Sequence, residues 1–177
     1  MKTVIQSSPI AGQGLFAAQD IPPMTVLFKE NVWSSPNFVV LDDGSQAYGV
    51  SSAWALVLKG LRSGFPSFAH QLSISRMFLK RELVGPNKDL ALMLMQAYPY
   101  RNVLKWFGIM LTNFFASQEH VWISPRACRI NHNKTSNCGA MTAHPIDGTI
   151  TWISSRQIKE GEEICFDYGG AYGELFE

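Results

Sequence analysis

The chain has 177 residues, within the roughly 100–200 residues of one domain, so a single domain over residues 1–177 is expected. Hydrophobic residues make up 46% and charged ones 16%, which excludes the low-hydrophobicity, high-charge composition of a disordered chain. Fifteen Lys and Arg against fourteen Asp and Glu leave a net charge of +1. That balance argues against the broad basic footprint of a protein that coats nucleic acid.

Residues 1–33 read as short strands joined by turns, because Val4, Ile5, Ile10, Val26, Leu27 and Val32 are punctuated by Gly12, Gly14 and Pro22-Pro23. The apolar run FVVL then meets DDG within residues 37–44, a strand entering a turn with a hairpin to follow. The period changes next. Trp54, Leu56, Val57, Leu58 and Leu61 fall at helical spacing, and residues 68–84 repeat it with Leu72, Met77, Phe78, Leu79 and Leu83 before Gly85-Pro86. Residues 89–98 and 102–116 predict two further helices parted by Pro99-Tyr100. Residues 47–116 thus form a helical insert. After Gln118 the β character returns as HVWIS, as ITWIS behind the turn Asp147-Gly148, and as EEICFDY. Strands, a helical insert and strands again make an α+β fold in which distant segments must pair.

No basic flank and apolar run marks a signal peptide, and no stretch approaches about 18 uninterrupted apolar residues. An intracellular protein with no membrane partner is the expectation. Cys128, Cys138 and Cys165 contain no CxxC pair and are too few for a disulfide framework, so reduced thiols are expected.

Three segments carry candidate chemistry. In GQGLFAAQDI (residues 12–21), a GxG is either a tight turn feeding a strand or a place where a ligand approaches bare backbone. The GxGxxG spacing and following helix of a dinucleotide site are missing. In CRINHNKTSNC (residues 128–138), Asn131 and His132 sit beside Asn133 and Asn137, either as a polar loop satisfying its own backbone or as a ligand site. Cys128, His132, Cys138 and His144 are all suitable zinc ligands, but their Cx3Hx5Cx5H spacing lacks a knuckle, and no metal site is assigned. In IKEGEEICFDYG (residues 158–169), a charged turn around Gly161 leads to Tyr168. That tyrosine either caps the core or orients an amine. Glu162-Glu163 looks too exposed for a general acid and base.

Taken in order, these segments resemble the SET-domain family of protein lysine methyltransferases over about 165 residues. The opening GxG and Leu-Phe-Ala correspond to Gly12, Gln13, Gly14, Leu15, Phe16 and Ala17, followed by Asp20-Ile21. The family's Asn-His motif corresponds to Asn131, His132 and the six residues to Cys138. Its closing Gly-Glu-Glu, apolar strand and Tyr correspond to Ile158, Gly161, Glu162, Glu163, Ile164 and Tyr168. LTNFF before WISPRACRINH is similar to the branch with a split domain and a helical insert.

The resemblance implies small curved β-sheets with a knot-like threading, in which the Asn-His segment passes beside the Tyr strand. It implies S-adenosylmethionine as methyl donor and a protein or peptide lysine as acceptor. Gly12, Gln13, Gly14 and Leu15 would offer backbone groups to that cofactor, Asn113, Asn131 and His132 would contact it, and Tyr168 would sit at the transfer point.

Asn133-Lys134 and Ser136 depart from the family's Ser-Cys and Pro. A Lys134 aimed inward would oppose a cationic sulfonium. No cysteine cluster follows Tyr168, so Tyr172, Phe176 or a second subunit would close the lysine channel, which leaves room for a homodimer. The alternatives are a SET-fold protein that has lost lysine methylation and serves as a binding module or acts on another small molecule, and a small zinc-stabilised interaction domain.

Overall fold

In chain order the elements are β1 (Thr3–Ser7), β2 (Gln13–Ala17), β3 (Val26–Asn31), β4 (Trp33–Pro36), β5 (Val39–Val40), β6 (Gln46–Ala47), α1 (Ser52–Ser63), α2 (Pro86–Ala97), α3 (Tyr100–Leu111), β7 (Phe115–Ala116), β8 (His120–Ile123), a 3₁₀ turn (Ala127–Arg129), β9 (Asn131–His132), β10 (Cys138–Ala140), β11 (Thr149–Ser154) and β12 (Glu163–Phe166). The structure is a computed structural model that describes all residues except 37, 38, 41–45, 48–51, 69–82, 112, 113, 117–119, 143, 144 and 170–177. It divides into two compact units, Met1–Val32 with Ser124–Glu177, and Trp33–Ile123.

The first unit holds a four-stranded sheet of order β1-β2-β12-β9 and a three-stranded sheet of order β10-β11-β3. Strand β11 shows why: Ile150, Trp152 and Ser154 are buried and alternate with half-buried Thr149, Thr151 and Ile153, the period-2 pattern of a strand with one face inward. Asp147 (φ 49°) and Gly148 (φ 69°) turn the chain into β11, and both φ values suit the two-residue turn that matches strand twist. In the other sheet, β2 runs antiparallel to β1 from Thr3↔Ala17 to Ser7↔Gln13. Strand β12 pairs antiparallel with β2 through Glu163↔Phe16 and Ile164↔Leu15. Its far half runs parallel to β9 through Cys165↔Asn131 and Phe166↔His132. Residues more than 100 positions apart in sequence therefore meet on one strand. Leu15, Ile21, Ile130, Ile150, Trp152, Ile158 and Ile164 fill the core beneath.

The second unit contains the three described helices, a sheet of order β4-β8-β7 and the β5-β6 hairpin. Helix α1 buries Trp54, Leu56, Val57 and Leu58, and α3 buries Val103, Phe107 and Met110. Trp54 stacks on Phe107 with ring centroids 4.1 Å apart. Pro86 lies at the start of α2, where its missing N–H costs no hydrogen bond. The helix expected over 102–116 stops at Leu111, and Phe115–Ala116 is strand β7 instead. Phe115 pairs with Trp122 of β8 and stacks on it at 4.8 Å, an aromatic cross-strand contact that outweighs helical spacing. The helix expected over 68–84 falls mainly outside the described residues. Among those described, no helix is long and apolar enough to cross a membrane.

Candidate functional site

The first unit collects most of the predicted site. Gly12 turns the chain with φ 51°, and the Ser8 N–H donates to its carbonyl at 3.0 Å. Positive φ favours glycine there. Gln13, Gly14 and Leu15 then form the start of β2, with Leu15 wholly buried. Asn131 and His132 are β9, both under a tenth exposed. Tyr168 follows β12, and its backbone N–H donates to His132 Nδ1 at 3.1 Å. Asn113 lies outside the described residues, as do His144, Tyr172 and Phe176.

A polar network joins the GxG turn to β9. Asn131 Nδ2 donates toward Glu163 Oε1 (2.7 Å), Ser8 Oγ (3.1 Å), the Ala11 carbonyl (3.2 Å) and the Gln13 carbonyl (3.5 Å). Ser8 Oγ donates to both Glu163 oxygens, at 2.8 and 2.9 Å. The same oxygen accepts the N–H groups of Ile10 and Ala11. Gly14 makes room for this: a Cβ there would lie 2.2 Å from Glu163 Oε1. The bare backbone at Gly14 is approached by the protein's own carboxylate.

Asn137 holds the strands in register. It is 2% exposed. Its Oδ1 accepts the Cys165 N–H at 2.9 Å, and its Nδ2 donates to the Glu163 carbonyl at 2.8 Å and to Glu162 Oε1 at 3.1 Å. Burial opposes charge on Glu162, but bonds from Arg156, the Lys159 N–H and Asn137 hold its carboxyl below the usual range. Asn133 and Lys134 are exposed on the turn between β9 and β10.

Beside this network, Tyr168 Oη donates to the Ile130 carbonyl at 2.6 Å. Burial, reinforced by the neighbouring thiols, pushes the phenol well above its ordinary pKa. It is a neutral hydroxyl held on the Ile130 carbonyl. His132 Nδ1 accepts a backbone N–H, which puts the ring proton on Nε2. Its 3.9 Å approach to Asp167 is therefore not a charge pair. Burial raises Cys128 to about 11 and Cys165 to about 12, and it raises Cys138 further. None of the three has the depressed pKa of a nucleophilic thiol. Among the described residues, no group of three or more His, Cys, Asp or Glu is placed to hold a metal ion.

Ser8 has no mention in the sequence analysis, and Asn137 and Glu163 are named there without a role in the site. Asn137 had a signal in its place within the Asn-rich segment. Glu163 looked like one half of an exposed pair, and only the pairing of β12 with β2 turns it inward.

A family model described as SET domain matches residues 12–169. The SET domain of LSMT, solved bound to lysine and AdoHcy, matches with a TM-score of 0.56 at 15% identity, covering 98% of this chain and 51% of that one. A candidate histone methyltransferase of Plasmodium falciparum gives a TM-score of 0.47 at 12% identity, covering 97% and 96%. A humanized mutant of the Chaetomium thermophilum Polycomb Repressive Complex 2 gives 0.44 at 18%, covering 94% and 15%. The chain spans about half of the LSMT chain and a small part of the Polycomb one. No curated protein matches. The likeness to LSMT is one of fold, which in this chain is an α+β arrangement of small sheets with three helices among the described residues.

Proposed function

We propose that this chain, which belongs to the SET-domain family, transfers a methyl group from S-adenosylmethionine to the side-chain amine of a protein lysine. The observation that carries this reading is the parallel pairing of β9 with β12, which sets Asn131 and His132 beside Tyr168 and next to the GxG turn.

The residues fit a cofactor with a cationic amino-acid end. The Ala11 and Gln13 carbonyls, Ser8 Oγ and the Glu163 carboxylate take up the Nδ2 protons of Asn131, which leaves its Oδ1 as an acceptor for a positively charged group. When bound, S-adenosylmethionine supplies the methyl group as an electrophilic carbon on sulfur. Gly12, Gln13, Asn131 and His132 would hold it, and Tyr168 would orient the incoming amine from its fixed place on the Ile130 carbonyl. Rate then comes mainly from alignment of the two reactants. Burial beside a positive charge lowers the pKa of a lysine amine, so the site needs no base. That agrees with a Tyr168 kept protonated by its surroundings. The departures at Asn133 and Lys134 sit on an exposed turn, away from the buried network.

Incubation with S-adenosylmethionine carrying a labelled methyl group, together with a histone mixture, a whole-protein extract and free lysine, tests the proposal. Label recovered as Nε-methyl-lysine after hydrolysis of the protein fraction supports it. Cofactor binding with no label on any lysine would favour a pocket turned to another use.

A further inference from the structure

The arrangement of protons around Asn131 assigns a role to Glu163. An amide NH2 has two protons, and four oxygens stand within 3.5 Å of Asn131 Nδ2, the nearest being Glu163 Oε1 at 2.7 Å. The opposite amide flip would aim Oδ1 at three acceptors and at a hydroxyl whose one proton is committed to Glu163. A carboxylate makes that flip the costliest, because a charged acceptor binds a donor about twice as strongly as a neutral one. Ser8 keeps the carboxylate in place by donating its single proton to both Glu163 oxygens. Gly14 leaves the space that the carboxylate occupies.

We propose, on the S-adenosylmethionine reading above, that Glu163 is a positioning residue for Asn131. Its carboxylate, seated over Gly14 and held by Ser8, locks the Asn131 amide with Nδ2 toward the GxG turn. Oδ1 is thereby presented to the other side as an acceptor for the ammonium group at the amino-acid end of the cofactor. Glu163 acts through Asn131 and does not itself take part in the transfer.

Two ligands separate this role from general support of the fold. S-adenosylhomocysteine has the amino-acid end, and methylthioadenosine lacks it. Isothermal titration of Glu163→Gln should show S-adenosylhomocysteine weakened about tenfold, the scale of one lost hydrogen bond, with methylthioadenosine unchanged. Ser8→Ala should shift the same ligand in the same direction by less. Equal weakening of both ligands, or of neither, overturns the proposal.

The second measurement needs no cofactor. In the wild-type protein, the Asn131 side-chain NH2 resonances, assigned by their loss in Asn131→Asp, should be protected from solvent exchange. That protection should fall in Glu163→Gln. Unprotected protons in the wild type, or unchanged protection in the variant, overturn the lock. A wild type that binds neither ligand but keeps this protection would sink the cofactor reading and leave the lock standing.

Discussion

At the scale of single residues, Tyr168 and Gly14 have the clearest consequences. Tyr168→Phe removes the donor to the Ile130 carbonyl, a loss worth about 1–3 kcal/mol at a buried acceptor. Methyl transfer should fall about a hundredfold, the scale of removing one positioned donor, while the protein still folds. Full activity in that variant would place the transfer centre elsewhere. Spectrophotometric titration should show the Tyr168 phenolate only above the range of ordinary tyrosines, because burial raises its pKa. Gly14→Ala puts a methyl group where the Glu163 carboxylate now lies. Since a carboxylate at the end of a flexible side chain can swing away, the variant should fold but lose affinity for S-adenosylhomocysteine. Asn131, His132 and Tyr168 could be found in the sequence because their spacing is a pattern. Ser8 could not, because its partner Glu163 lies 155 positions away and nothing local announces the contact.

At the scale of elements, Asn137 does for β12 what a neighbouring strand would do. Its amide binds the Cys165 N–H and the Glu163 carbonyl, so Asn137→Ala leaves buried groups unpaired and should cost about 2–4 kcal/mol in a denaturant melt. A change under half a kcal/mol would show that β12 keeps its place without this support. In the helical unit, Trp54→Ala removes the stack on Phe107 and should cost about 3–5 kcal/mol. The helices α1, α2 and α3 could be read from the spacing of Trp54, Leu56, Leu90, Leu94, Val103 and Phe107, because 3.6-residue periodicity is a local property. The end of α3 could not. Phe115 continues the apolar spacing, and what takes it out of the helix is Trp122, a residue on the strand it pairs with. The parallel contact of β9 with β12 is non-local in the same way. The family resemblance implied it, and periodicity was silent.

At the scale of the whole molecule, the raised thiols and phenol set the alkaline limit of stability. The folded state keeps protons that the unfolded state releases, so stability is full below the ordinary thiol pKa of 9.0 and is lost as pH rises through the folded values of about 11 for Cys128 and about 12 for Cys165. Thermal melts should therefore hold steady up to about pH 9 and fall above it. A midpoint that stays level beyond that range would mean the thiols are less buried than described. Cofactor binding should raise the same midpoint by mass action. It is also the step on which the functional account depends, and calorimetric titration with S-adenosylmethionine and S-adenosylhomocysteine measures it directly. Micromolar binding of both to the wild-type protein is expected, weakened in Asn131→Ala and His132→Ala; a folded wild type that takes up neither would show that Asn131, His132 and Tyr168 do not form a cofactor pocket.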